Sequence, residues 1–138
     1  MKPTPSCELY VDGASRGNPG PSGIGVVVMD GARKPAATLS RYLGETTNNV
    51  AEYLALIYGL QEALRRGCRA VMVHTDSELL ARQFSGQYRV RDPQLKVLHD
   101  LARFLAEGFS RCTVQHVPRE QNQLADRLAG QAVASRSL

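Results

Sequence analysis

The sequence predicts an α/β fold: a mixed five-stranded sheet, its first three strands antiparallel, flanked by helices. Three observations carry this expectation. The patterns run in the order three strands, helix, strand, two helices, strand, helix; the hydrophobic period changes from two to 3.6 at Asn49; and no linker, repeat or low-complexity tract interrupts the chain. With 138 residues, 43% of them apolar, the chain suits one core, so residues 1–138 are expected to form a single domain.

Residues 7–12 (CELYVD) alternate Leu9 and Val11 with Tyr10 and Asp12, the period of a strand. Residues 23–30 and 36–44 supply two more strands. The Gly/Pro-rich stretch 15–23 between the first pair is too long for a two-residue hairpin and suits an ordered loop. From Asn49 on, Val50, Tyr53, Leu54, Ile57, Leu60 and Leu64 recur at helical spacing, and Arg65, Arg66 and Gly67 close the helix. Residues 69–75 (RAVMVHT) form an apolar run without alternation, which predicts a central strand buried on both faces. A short helix follows over 77–84. Pro93 begins another, with Leu95, Leu98, Leu101, Ala102 and Leu105 on one side. Residues 110–117 read as the fifth strand. The last helix, from about Glu120 to Ala134, turns Leu124, Ala125, Leu128, Ala129 and Ala132 toward the sheet.

The net charge of +4 mildly favours a polyanionic partner. No stretch approaches the roughly 18 apolar residues of a membrane span, and the start MKPTPSCELY lacks a signal's apolar region; a cytoplasmic protein away from membranes is expected. Cys7, Cys68 and Cys112 are widely spaced, without a CxxC pair, and read as small buried hydrophobes rather than zinc ligands. Whether two of them pair stays open.

Four acidic residues stand where an apolar element meets a polar turn, so that their carboxylates could gather at one end of the sheet. Each also has an ordinary explanation. Asp12 suits Asp-Gly turn chemistry, Glu52 a capping box begun by Asn49, Asp76 the N-cap of the next helix, and Asp126 a solvated helix position. Taken together, hard oxygen ligands without a His or Cys cluster suit Mg²⁺ or Mn²⁺ rather than zinc. A pair of such ions could serve attack on a phosphodiester.

Four blocks, residues 10–27 (YVDGASRGNPGPSGIGVV), 46–60 (TTNNVAEYLALIYGL), 73–80 (VHTDSELL) and 117–129 (VPREQNQLADRLA), resemble in order the signature blocks of type 1 ribonuclease H. The resemblance spans about Glu8 to Ala134. It implies a ribonuclease H-like fold and hydrolysis of the RNA strand of an RNA–DNA hybrid by two metal ions, leaving 5′-phosphate and 3′-hydroxyl ends. It makes Asp12, Glu52, Asp76 and Asp126 the metal-binding catalytic carboxylates, with two Mg²⁺ ions and Mn²⁺ as a substitute. Ala14, Ser15, Arg16, Gly17 and Asn18 correspond to the loop along the minor groove, where 2′-hydroxyls mark the RNA strand. Thr47 and Asn18 correspond to holders of a DNA-strand phosphate. Asn48, Asn49, Ser77 and Asn122 complete the substrate-contacting set, and a monomer is expected.

Two departures matter. The loop before the last carboxylate is short, without the mobile histidine of many members, so that role is not carried to His116; Arg119 is the candidate that could steady phosphate charge there. The basic protrusion is also missing, although Arg82, Arg89, Arg91 and Lys96 keep that neighbourhood basic. These features resemble the compact branch of the family, some of whose members also attack double-stranded RNA. With so few residues before the first strand, no separate hybrid-binding domain is expected. The competing functions are a non-catalytic hybrid-binding module and an integrase- or resolvase-like nuclease of the same fold.

Overall fold

The computed structural model describes residues 6–136. Strands β1 (Ser6–Ser15), β2 (Gly20–Met29) and β3 (Ala37–Thr46) form an antiparallel meander, and helix α1 (Asn48–Arg65) crosses back to β4 (Ala70–Thr75). Helices α2 (Glu78–Phe84) and α3 (Pro93–Ala106), strand β5 (Arg111–His116), a 3-10 turn (Arg119–Gln121) and helix α4 (Gln123–Ser135) complete the chain. The sheet order is β3-β2-β1-β4-β5, with β1–β4 and β4–β5 parallel. The mixed five-stranded sheet is thus as expected.

Alternation along the strands directs each face to its helix. Leu9, Val11 and Val26 lie against Gly59 of α1, while the next residues over, Gly25 and Gly23, lie under α4. A side chain at Gly25 would overlap the backbone of Ala125 and Ala129, so this glycine lets α4 approach closely. That closeness corrects the last helix: its buried face is Ala125, Ala129, Ala132 and Val133, while Leu124 is displaced outward and exposed. The helix also starts later than expected, at Gln123, because Arg119–Gln121 forms a separate tight turn.

Strand β4 departs from the expectation as well. It is interior to the sheet, but only Val71, Val73 and Thr75 are buried, whereas Ala70, Met72 and His74 are half-buried. The reason is that α4 packs across β1, β2 and β3. On α3, Leu95 and Ala102 face the core as expected, but Leu101 is exposed, since the helix rests on α1 with a narrower face than its apolar content suggested. Cys7 and Cys68 are buried as expected and are joined in a disulfide closing 61 residues of sequence, while Cys112 remains a free thiol. Among the described residues, no helix is long and apolar enough to cross a membrane.

Candidate active site

The β1–β4 ladder ends at the pair Val11 and Thr75. Asp12, still in β1, and Asp76, just past the end of β4, come next along the chain, so two parallel neighbours release a carboxylate side by side where their backbone pairing stops. Thr75 is buried, its hydroxyl accepts from the Ser77 N–H at 3.0 Å, and its carbonyl accepts from the Val117 N–H at 2.8 Å. Those bonds hold the turn from which Asp76 leaves. Asp12 does not sit in an Asp-Gly turn: β1 continues to Ser15, and Asp12 pairs with Gly25 on its other side.

Glu52 arrives from α1. The helix is capped by Thr47, whose hydroxyl accepts from the Val50 N–H at 3.2 Å, and not by Asn49 as a capping box would require. Glu52 is thereby free of capping, and its Oε1 accepts from the Gly13 N–H at 2.7 Å. A side chain at Gly13 would overlap the backbone of Ala51 and Glu52, so glycine here lets the first turn of α1 touch β1.

Ligand atoms of Asp12, Glu52 and Asp76 all lie within 4.8 Å of one another. Asp126, in the first turn of α4, stands on the rim beside Asp12 and lines the same cleft. Burial is the largest cause raising the Asp12 carboxyl above its ordinary range, and Glu52, Asp76 and Asp126 add to it. Glu52 is also raised by burial; the Gly13 N–H opposes the rise, and Asp76 and Asp126 add to it. Crowded carboxylates of this kind hold protons unless a cation compensates them. An all-oxygen set without histidine or thiol in the cluster fits a hard divalent ion.

The four carboxylates open on a cleft of about 390 Å³, which Ala14, Ser15, Asn48 and Arg119 also line. Arg119 is largely exposed, with Nη2 3.6 Å from Asp126 Oδ1. Asn18, Thr47 and Asn49 line a separate depression of about 210 Å³. Asn18 Oδ1 accepts from the Asn48 N–H at 3.0 Å, which ties the β1–β2 turn, with Arg16 and Gly17, to the start of α1. Ser77 caps α2, accepting from Leu80 N–H at 3.1 Å.

Asn122 is a correction. It is 1% exposed, and its side-chain amide donates to the Val11 carbonyl at 2.9 Å. It therefore staples the start of α4 to β1 and sets the position of Asp126; it cannot meet a substrate directly. His116 lies in a strand as expected: it ends β5 in register with Thr75, and because β4 and β5 are parallel it lines the carboxylate cleft beside Asp76.

A family model described as reverse transcriptase-like matches residues 10–132. The Mycobacterium tuberculosis protein named bifunctional protein Rv2228c is 44% identical over 91% of this chain, which covers 35% of that relative. The crystal structure of RNase H1 from the archaeon Halobacterium salinarum superposes with TM-score 0.91 at 39% identity, covering 94% of this chain and 98% of that one. The crystal structure of LC11-RNase H1 in complex with an RNA/DNA hybrid gives TM-score 0.89 at 40% identity, covering 94% and 98%. The chain spans about a third of the length of the mycobacterial relatives it matches.

Proposed function

The chain belongs to the type 1 ribonuclease H family, and on that premise we propose that it is an endoribonuclease that cuts the RNA strand of RNA–DNA hybrids, leaving 5′-phosphate and 3′-hydroxyl ends. The observation that carries the reading is the clustering of Asp12, Glu52 and Asp76, with Asp126 at its rim, in one open cleft. Family membership supports it, as does the hybrid held by the similar LC11 enzyme. The four carboxylates would hold two Mg²⁺ ions, or Mn²⁺ in their place. When bound, such ions supply a nucleophilic water at neutral pH and neutralise charge on the departing 3′ oxygen.

The chain's own groups set the geometry. The Gly13 N–H orients Glu52, Asn122 anchors the helix that carries Asp126, and the Asn18–Asn48 bond aligns the β1–β2 turn with the start of α1. The small residues at the end of β1 and in the turn after it, Ala14, Ser15 and Gly17, admit a close approach along a minor groove, with Asn18, Thr47 and Asn49 beside them for a DNA-strand phosphate. Arg119, paired with Asp126, is placed to turn toward phosphate once a cation takes over that carboxylate. The reading extends to double-stranded RNA as an additional substrate and to a cytoplasmic location.

The deciding experiment is digestion of labelled RNA–DNA, RNA–RNA and DNA–DNA duplexes in Mg²⁺ and in Mn²⁺, with Asp76→Asn as control. Cleavage of the hybrid's RNA strand that is lost in the control is expected. Binding without cleavage in either metal would favour a non-catalytic module, and comparable cutting of duplex DNA a resolvase-like nuclease.

A further inference from the structure

Helix α3 lies on the outside of α1, and its two faces are unlike. Leu95 and Ala102 are buried toward the core, whereas Val97, Leu101 and Phe104 are 67%, 44% and 70% exposed. Their spacing of four and three residues puts them on one stripe of the helix, facing away from the protein. Single exposed apolar side chains are ordinary, but a row of three large ones on one helix marks a surface that is covered by something. None of the three lines the carboxylate cleft or the depression beside it.

One flank of the stripe identifies the occupant. Lys96, Asp100, Arg103 and Glu107 run along it in the order plus, minus, plus, minus, and all are exposed. When two identical helices pack antiparallel about a two-fold axis, each flank meets the same flank of the other copy in reverse order. About a centre at Leu101, Val97 then meets Phe104 of the second copy, Leu101 meets Leu101, and Lys96 meets Glu107. Asp100 meets Arg103 in the same register. Arg103 is already engaged within the chain, its guanidinium 4.8 Å from the Phe84 ring and donating to the Phe84 carbonyl at 3.0 Å. Lys96 Nζ lies 2.9 Å from Asp100 Oδ1 of its own helix, so the charge matching across the interface falls on Glu107 of the second copy meeting this pair at its Lys96 end. A parallel arrangement would instead set this flank against the opposite flank of the second copy, where Gln94, Leu98 and Leu105 offer no charge to meet it.

We propose that α3 is a self-association surface through which two copies of this chain pair antiparallel, with Val97, Leu101 and Phe104 at the centre and Lys96 against Glu107 at the edge. This replaces the monomer expected from sequence. An interface of one helix per copy is smaller than a standard stable one, so the dimer dissociates in the range of about 1 µM to 1 mM. Both carboxylate clefts stay open in it.

Sedimentation of the intact chain from about 5 µM to 500 µM is expected to show the mass rising from 15.1 kDa toward twice that value. Val97→Asp with Phe104→Asp should hold the protein at the single-chain mass throughout, with unchanged circular dichroism and hybrid cleavage. Leu124→Asp, on an exposed position of α4, should dimerise like wild type. Glu107→Lys should weaken association several-fold, and adding Lys96→Glu should restore it. In a Cys112→Ser background, oxidation of mixed Val97→Cys and Phe104→Cys proteins should give the crossed product, while Val97→Cys alone gives little. A wild type that remains at 15.1 kDa over the whole range, a dimer that survives the double aspartate variant, or preferential linking of Val97→Cys to itself would each overturn the proposal. Apart from that cleavage control, none of these readouts depends on whether the chain cuts hybrids.

Discussion

The two ends of β1 are built on opposite terms. At one, Asp12 meets Glu52, Asp76 and Asp126, a concentration of acidic groups whose burial and mutual repulsion oppose folding in their ionised form. At the other, Cys7 is bonded to Cys68 and closes 61 residues of sequence, which narrows the unfolded ensemble and favours folding. The strand joins a place where stability is given up for a cation site to a place where it is regained covalently. The lesson is that activity and stability here should respond to different substitutions.

The largest separation is expected from the acidic end. Asp76→Asn or Asp12→Asn should lower Mg²⁺-supported hybrid cleavage by about 10³- to 10⁴-fold, because a metal-held carboxylate contributes several kcal/mol to the transition state. The same variants should melt at or above the wild-type temperature without metal, since a repulsive charge is gone. Near wild-type turnover, or a lower melting temperature without metal, would break the comparison.

The covalent end should do the reverse. Cys7→Ser with Cys68→Ser, or reduction of the bond, is expected to remove about 4 kcal/mol of unfolding free energy, as loop closure of this length predicts. Cleavage by the folded fraction at 25 °C should be unchanged. Denaturant titration beside an activity assay checks both halves.

Arg119→Ala lies between the two. Loss of about tenfold in turnover with unchanged melting is expected, because the side chain is exposed and its contact with Asp126 is a surface pair. His116→Ala, measured alongside, shows whether lining the cleft amounts to taking part in it: unchanged turnover is the expected outcome.

The smallest effect is on pH. Asp12 and Glu52 have folded values raised above the unfolded ones, so the folded state binds more protons than the unfolded chain. The stability they contribute is present below the ordinary carboxyl range near pH 4 and is lost as pH climbs through the raised values. Without metal, the melting temperature should therefore fall by a few degrees from mildly acidic to mildly alkaline buffer, and saturating Mg²⁺ should remove the fall. Equal slopes with and without Mg²⁺ would show that the carboxylates are not compensated by the ion.

Much was legible in the chain itself. The order of elements, the three antiparallel strands, the long helix from the Asn48–Asn49 region and the four carboxylates all rest on local signals: hydrophobic period, capping residues and acids at strand or helix ends. These depend on neighbours a few positions away. Other features depend on partners tens of residues distant. That Thr47 caps α1 and leaves Glu52 to the Gly13 N–H follows from how closely α1 meets β1, which no i-to-i+3 pattern records. Asn122 was expected to contact substrate, yet its amide is consumed 111 positions away at Val11.

Sequence alone determined which side chains could do chemistry and which segments could be strand or helix, because composition and periodicity act locally. Tertiary structure decided which acids converge, which cysteines pair, which strand face goes without a helix, and that Leu101 joins Val97 and Phe104 outside the core. The physical reason is that burial and long-range pairing belong to pairs of surfaces, and a surface acquires its partner only when the chain has folded back on itself.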